Sequence, residues 1–324
     1  MIEADHEIAT LVHAIRHKLT PPTSENPESM NTIEQALQQR AHLLDQDTDA
    51  LRLIDGESDN MPGLFLDTFA GRWLVSTRSN HLDTGTHQFL QKSGKTCYWK
   101  QLDQHEKESP QHIAGPQEHA PFTARESGIN YRIHFQAGYS QGIFLDQRLN
   151  RQRVRKFSAP SQTILNTFAY TGAFSVCAAL AGATTTTLDL SQVYLDWARD
   201  NFSINQLDPS EHYFCKGDTF HWLKRFARQG RKFDGIILDP PTFSRDDKGK
   251  VFRVEKDYDR LVSLAHACLA NDGWLLCCTN CRKLTPQDFA HMIRQGAPNT
   301  QITPLQMPPE YTGEPYLKSI WVNH

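Results

Sequence analysis

The 324-residue chain lacks several features that would define its role at once. No apolar run reaches the roughly 20 residues that a membrane-spanning helix needs. The first residues, MIEADHEIATLVHAIRHKL, have neither the basic opening, the apolar centre nor the small-residue cleavage site of a secretory leader. Neither sign of charge is in excess, with 34 Lys and Arg against 37 Asp and Glu. A global basic field is therefore excluded, and any nucleic-acid contact has to rest on a local patch. The seven cysteines include one cluster, Cys277, Cys278 and Cys281, with no second Cys/His pair at zinc spacing. Free, buried thiols in a cytoplasmic protein fit this pattern, and no metal site is expected. No G-x-G-x-x-G occurs either, so the pyrophosphate fingerprint of dinucleotide sites is missing.

The residues that are present divide the chain into three. Ile8, Leu11, Val12, Ile15 and Leu19 recur at steps of three and four and predict a helix that Pro21 and Pro22 end. Asn31 with Glu34 resembles a capping box and opens a second helix to about Leu44. From Leu51 the pattern turns to short apolar runs broken by Asp-Gly, Pro-Gly and Ala-Gly, which predicts a small β-rich module. Residues 103–121 are polar and rich in Pro, Gly and His, and are expected as a loop. The run INYRIHFQ then alternates as a strand does.

The second half alternates strictly. QTILNTF, ATTTTLDL, HYFCKGD, FDGIILD and GWLLCCT predict strands, with amphipathic or small-residue helices between them. One of these helices, VEKDYDRLVSLAHACLAN, is expected to run through Asn271. QITPLQ and YLKSIWVN are candidates for two closing strands that pair with each other. Near-continuous apolar strands alternating with helices imply a parallel sheet covered on both faces. The fold class is α/β, a doubly wound Rossmann-like sheet with a small N-terminal α+β domain. The expected boundaries are a helical segment over 1–48, the α+β domain over 49–137 and the large domain over 138–324.

In such sheets a ligand lies beyond the carboxyl ends of the strands. The first strand ends in LNTFAYTGAF, where Gly172 allows close backbone approach or simply starts a helix. Asp189 ends the second strand, where a carboxylate can accept both ribose hydroxyls, or can cap the next helix. Asp218 ends the third and can accept from an adenine amine or cap the helix beginning at Thr219. Together a Gly and two acids at three successive strand ends describe a pocket for a nucleoside cofactor without phosphates, which suits S-adenosylmethionine better than NAD. The fourth strand ends in ILDPPTFSR. Pro240 biases Asp239 toward an extended conformation, and Pro240 and Pro241 contribute no N–H. What remains is a stiff corner of acceptors suited to holding a planar nitrogenous base, with Phe243 available to stack on it.

With GIFLDQRLNRQRVR, LNTFAYTGAFSVCAALAGA, TTTLDLSQVYLDWARDNFSINQL, DGIILDPPTFSR and LLCCTNCRKL in this order, residues 138–324 resemble class I S-adenosylmethionine-dependent methyltransferases. More narrowly they resemble the large-subunit ribosomal RNA methyltransferases that form 5-methylcytosine or N7-methylguanine. RLIDGESDNMPGLFLDTFAGRWLV resembles the small central domain of that family, and its RNA-binding PUA module has no counterpart here. The resemblance implies S-adenosylmethionine as cofactor, held by Asn166, Phe168, Tyr170, Thr171 and Gly172 at the methionine end, Asp189 and Leu190 at the ribose, and Asp218 and Thr219 near the adenine. It implies Asp239, Pro240, Pro241 and Phe243 at the acceptor base. The implied partner is large-subunit ribosomal RNA, with no membrane and with a homodimer as one option.

Methylation of cytosine C5 needs a Cys thiolate to attack C6 first. The family's Cys position aligns with Asn280, and Cys281 falls one residue later, where a different turn would still let it reach as the nucleophile. An Asn and basic residues after the fifth strand look more like the N7-guanine type, where an in-plane lone pair needs no covalent nucleophile. Two aspects of the sequence bear on RNA. In DQRLNRQRVRKF, Arg148, Arg151, Arg153, Arg155 and Lys156 crowd one short stretch with Val154 facing inward. Arg148, Arg151, Arg155 and Lys156, together with Arg282, are candidates for phosphate contact, with a solvated helix as the alternative. Thr242 stands between the second proline and Phe243, which points away from exocyclic-amine methylation and toward a ring atom.

Overall fold

A computed structural model describes residues 32–102, 108–138, 140–245, 249 and 251–323. The helix expected over residues 8–19 and the Asn31 cap lie outside these. The chain forms two compact units: Met1–Leu145 with Pro309–Gly313, and Asp146–Pro308 with Glu314–His324.

In the first unit, helix α1 (Thr32–Arg40) precedes strands β1 (Ala50–Asp55), β2 (Leu64–Phe69) and β3 (Arg72–Thr77). Helix α2 (Thr84–Lys92) then crosses over to β4 (Cys97–Gln101), which lies parallel to β3, and β5 (Gln111–Ala114) runs antiparallel to β4. Ala70 and Gly71 both take positive φ between β2 and β3, the two-residue hairpin turn whose twist matches the strands. Ser127 and Gly128 do the same between β6 (Phe122–Glu126) and β7 (Ile129–Ile133). Ile33 and Ala36 of α1 join Leu51, Leu66, Val75 and Leu90 in the core. Arg40 is buried, donating to Asp59 Oδ1 at 2.9 Å, to the Glu310 carbonyl at 3.1 Å and to Thr312 Oγ1 at 3.0 Å. Strand β5 corrects the loop expected over residues 103–121. It is an edge strand with little burial, so it needs no apolar run to form.

The second unit opens with helix α3 (Arg148–Lys156). Its strands are β8 (Thr163–Thr167), β9 (Thr184–Asp189), β10 (Tyr213–Lys216), β11 (Phe233–Leu238), β14 (Leu269–Thr279), β15 (Gln301–Leu305) and β16 (Lys318–Asn323). They lie in the order β10-β9-β8-β11-β14-β16-β15. Helices α4 (Ala173–Leu180), α5 (Gln192–Ile204), α6 (Thr219–Arg228), α7 (Val254–His266) and α8 (Pro286–Gly296) connect them. The first five strands in that order are parallel, but β16 runs antiparallel to β14 and to β15, so the sheet is mixed at one side.

Two further elements differ from expectation. Helix α7 stops at His266, and Leu269 already belongs to β14, because Cys268 and Leu269 are buried in the sheet core rather than on a helix face. A short hairpin, β12 (Phe243–Arg245) with β13 (Val251–Arg253), follows the two prolines. Phe252 turns inward from it and packs on Phe168 and Phe220. All seven cysteines are free, and only Cys215 is not buried. No helix among the described residues is long and apolar enough to cross a membrane.

Candidate active site

The strand order reverses between β8 and β11, so the crevice of this sheet opens over their carboxyl ends. The register aligns those ends, with Leu238 opposite both Thr167 and Cys277, and Thr167 opposite Leu188. The loop from Phe168 to Gly172, the Asp189 and Asp239 corners and the end of β14 therefore share one edge.

The loop after β8 is strained. Phe168 and Tyr170 have φ near +50°, which costs aromatic residues on the order of 1–3 kcal/mol each. It is held by the Ala169 N–H on the Leu188 carbonyl (3.1 Å), the Gly172 N–H on the Ala169 carbonyl (2.8 Å) and the Tyr170 N–H on Asp189 Oδ2 (2.8 Å). Gly172 has φ +72°, and a Cβ there would stand 2.7 Å from Ala198 Cβ on α5. Only glycine fits both the backbone and the helix packed against it. Asn201, buried on α5, donates to the Thr171 carbonyl at 2.8 Å and fastens the loop from below. Thr171 is buried. Asn166 is also buried, donating to Ser175 Oγ at 3.0 Å, so its side chain braces the start of α4 from inside.

The two capping alternatives resolve differently. Ser191, not Asp189, caps α5 through Tyr194. Asp189 instead ties β9 to the strained loop, taking the Tyr170 amide on one oxygen and the Ser191 amide on the other at 2.8 Å each. Burial pushes its pKa up, and the amides of Ser191, Tyr170 and Leu190 pull it back. Leu190 beside it is half-buried. Asp218 does cap α6, accepting the His221 N–H at 2.8 Å, and Thr219 behind it is buried.

At the end of β11, Asp239 is half-buried. Burial, then repulsion from Asp146, pushes its pKa up to about 7, against the opposing hydrogen bond from Gln147 and the charge of Arg151. Gln147 Nε2 donates to Asp239 Oδ2 at 2.9 Å. Pro240 is buried and Pro241 exposed. Phe243 is 46% exposed, with the Arg253 guanidinium 5.2 Å from its ring centroid. Tyr258, on α7, donates to the carbonyls of Leu238 and Cys278 and so pins β11 and β14 at the level of the site.

The basic candidates separate. Arg155 and Lys156 are exposed, Arg148 is half-buried, and Arg282 is exposed with Glu314 only loosely opposed at 4.0 Å. Arg151 is 2% exposed, with its charge acting on Asp239, so it lacks the exposure that contact with an RNA phosphate needs. A charged residue in a basic run reads as surface, but here it serves an inward carboxylate. Asn280 is exposed at the end of β14, while Cys281 is 4% exposed and packed in the core with Leu284 and Phe289. Gln147, Asn150, Asn201 and Ser319 were missed from sequence. Their one signal was polar side chains at otherwise inward-facing positions. Among the described residues no group of three or more His, Cys, Asp or Glu is placed to hold a metal.

A family model described as S-adenosylmethionine-dependent methyltransferase matches residues 106–316. A Bacillus subtilis (strain 168) protein, provisionally named ribosomal RNA large subunit methyltransferase YwbD, is 36% identical over 276 residues, covering 82% of this chain and 69% of that protein. Ribosomal RNA large subunit methyltransferase I of Serratia proteamaculans (strain 568) is 34% identical, with 76% of this chain and 64% of that protein covered. Against ribosomal RNA large subunit methyltransferase K of Neisseria meningitidis serogroup B the match covers 52% of this chain and 48% of that one, so about half of that relative has no counterpart here. The crystal structure of SMU.776, provisionally classed as a methyltransferase and complexed with SAH, superposes with a TM-score of 0.82 at 28% identity, covering 92% of this chain and 83% of that one. Family model, relatives and fold agree that the chain belongs to the S-adenosylmethionine-dependent methyltransferase family, with S-adenosylmethionine as its cofactor.

Proposed function

We propose that the protein methylates a base of large-subunit ribosomal RNA, with guanine N7 as the acceptor atom. The RNA class rests on what the relatives at 34–36% identity are named for. The choice of atom rests on one observation. The exposed residue at the end of β14 is Asn280, and the neighbouring thiol, Cys281, is packed in the core. Methylation at C5 needs an accessible thiolate, whereas a ring nitrogen with an in-plane lone pair does not.

The residues on the crevice edge fit the cofactor. Gly172 lets the loop lie close against α5, where a Cβ would meet Ala198. Asp189 accepts two amides, and a carboxylate has about four lone-pair sites, so capacity remains for a ribose diol. Asp218 has one oxygen engaged as a cap and the other available toward an adenine amine. Phe168, Tyr170 and Thr171 line the loop, Leu190 and Thr219 flank the two acids, and Asn166 acts through Ser175. When bound, S-adenosylmethionine supplies an electrophilic methyl group on a positively charged sulfur. Asp239 accepts from the N–H donors of the base, which guanine carries at N1 and on its exocyclic amine. Pro240 and Pro241 hold that corner still, and Phe243 stacks on a base. Arg148, Arg155, Lys156 and Arg282 contact phosphates. With no proton to remove from N7, catalysis rests on positioning and exclusion of water.

The test is methyl transfer from labelled S-adenosylmethionine into an in vitro transcript of large-subunit ribosomal RNA, followed by nucleoside analysis. Labelled 7-methylguanosine is expected. Labelled 5-methylcytidine would overturn the choice of atom, and label in protein but not RNA would overturn the substrate class.

A further inference from the structure

Behind the acceptor corner lies a buried polar chain that the proposed reaction does not use directly. Gln147, Asn150 and Ser319 are 3%, 3% and 5% exposed. Asn150 Nδ2 donates to Gln147 Oε1 at 2.5 Å and to Ser319 Oγ at 2.8 Å. The Cys278 thiol adds a weak contact to the same Gln147 oxygen at 3.8 Å. With its oxygen occupied by donors, the Gln147 amide has its NH2 directed at Asp239 Oδ2, 2.9 Å away. Turning that amide over would set its oxygen against a carboxylate and its NH2 against the Asn150 NH2. Among the described residues no protein donor reaches Asp239 Oδ1. Asn150 Oδ1 is buried without a hydrogen-bond partner, a cost the molecule carries to keep the NH2 of Asn150 aimed at Gln147 and Ser319.

We propose that Gln147 is a positioning residue, whose amide, locked by Asn150 and Ser319, holds Asp239 as an ionised acceptor with Oδ1 presented to the base. This rests on the reading of Asp239 as the group that holds the acceptor. The device favours the charged carboxylate where its surroundings do not. Asp146 repels it, and Tyr258 and Cys278 face it as neutral groups whose own ionisation burial suppresses. The charge of Arg151 acts with Gln147 to keep it charged. Asp146 is itself anchored, accepting from the Tyr316 hydroxyl at 2.9 Å.

The test follows kcat/KM against pH for full-length wild type, Gln147→Leu and Asp239→Asn, with labelled cofactor and the ribosomal RNA transcript. Affinity for SAH is measured alongside. In wild type the rate should rise through an acidic limb as Asp239 ionises. In Gln147→Leu that limb should move up by about one pH unit, because a hydrogen bond to the charged form is gone. Activity near pH 7 should fall about 5-fold and recover toward pH 9, with SAH affinity kept. A uniform loss at every pH, or an unmoved limb, would overturn the proposal, since a purely structural role does not shift a titration. If Gln147→Leu does not fold, Asn150→Asp reads the same limb. It keeps the size but forces the Gln147 amide to turn, and an unmoved limb there overturns the proposal equally. If Asp239→Asn keeps wild-type rate and profile, the reading of Asp239 fails and the clamp with it. If Asp239→Asn is inactive while Gln147→Leu is wild type throughout, only the clamp fails.

Discussion

A carboxylate enclosed at the end of β11 costs stability whenever it is ionised. The folded pKa of Asp239, about 7, exceeds the unfolded value near 3.9, so between these limits the folded protein keeps a proton that the unfolded chain has released. Its contribution is most favourable below about pH 4 and declines as the pH rises toward 7. Asp239→Asn should therefore unfold at higher denaturant than wild type at pH 8, by on the order of 1 kcal/mol or more, and at the same denaturant at pH 4. Coincident curves at both pH values would show that the site does not strain its acid. Asp239→Ala should lose methyl transfer while calorimetry still finds 1:1 SAH binding. At the other end of the crevice, Gly172→Ala must place a methyl group against Ala198 in a left-handed backbone. A loss of about 1–3 kcal/mol in denaturant unfolding, with weakened SAH binding, is expected.

At the scale of elements, the hairpin β12–β13 reaches the cofactor loop through one ring. Phe252 lies 6.3 Å from Phe168 and 5.5 Å from Phe220, centroid to centroid. Phe252→Ala should cost about 3 kcal/mol and raise KM for S-adenosylmethionine more than it lowers kcat, since it frees Phe168 rather than the acceptor corner. Unchanged KM would mean that the hairpin does not support the loop. The inner parallel strands were legible because each carries a β-branched or apolar run buried on both faces, as in ILNT and GIIL. Strands β5, β12 and β13 were not, since short edge and hairpin strands carry no such run. The α7–β14 boundary was hidden because the run ACLA, Ala267 to Ala270, stays apolar across it. In the candidate site, Gly172, Asp189 and Asp239 stand out in the sequence because strand ends are where chemistry gathers in this fold. Gln147 and Asn150 do not, because they stand in a basic stretch whose charges suggest a solvated helix, and the burial of Arg151 was hidden for the same reason.

For the whole molecule, a formal net charge of −3 means that RNA is not drawn in by a general field. Binding must then respond sharply to a few cations. Replacing Arg155 and Lys156 by Gln should reduce the slope of log affinity against log salt by roughly 0.7–0.9 per residue. Equal slopes for wild type and the double variant would remove that face of α3 from the RNA contact.

The excursion between β15 and β16 affects how the protein is made. Pro309–Gly313 complete the first unit, where Arg40 receives them, and β16 then fills the place between β14 and β15. A growing chain therefore holds its first unit unfinished until Pro309–Gly313 have been synthesised, with the Arg40 guanidinium waiting for partners more than two hundred residues downstream. A ribosome that stalls before Pro309 therefore yields a product that lacks parts of both units.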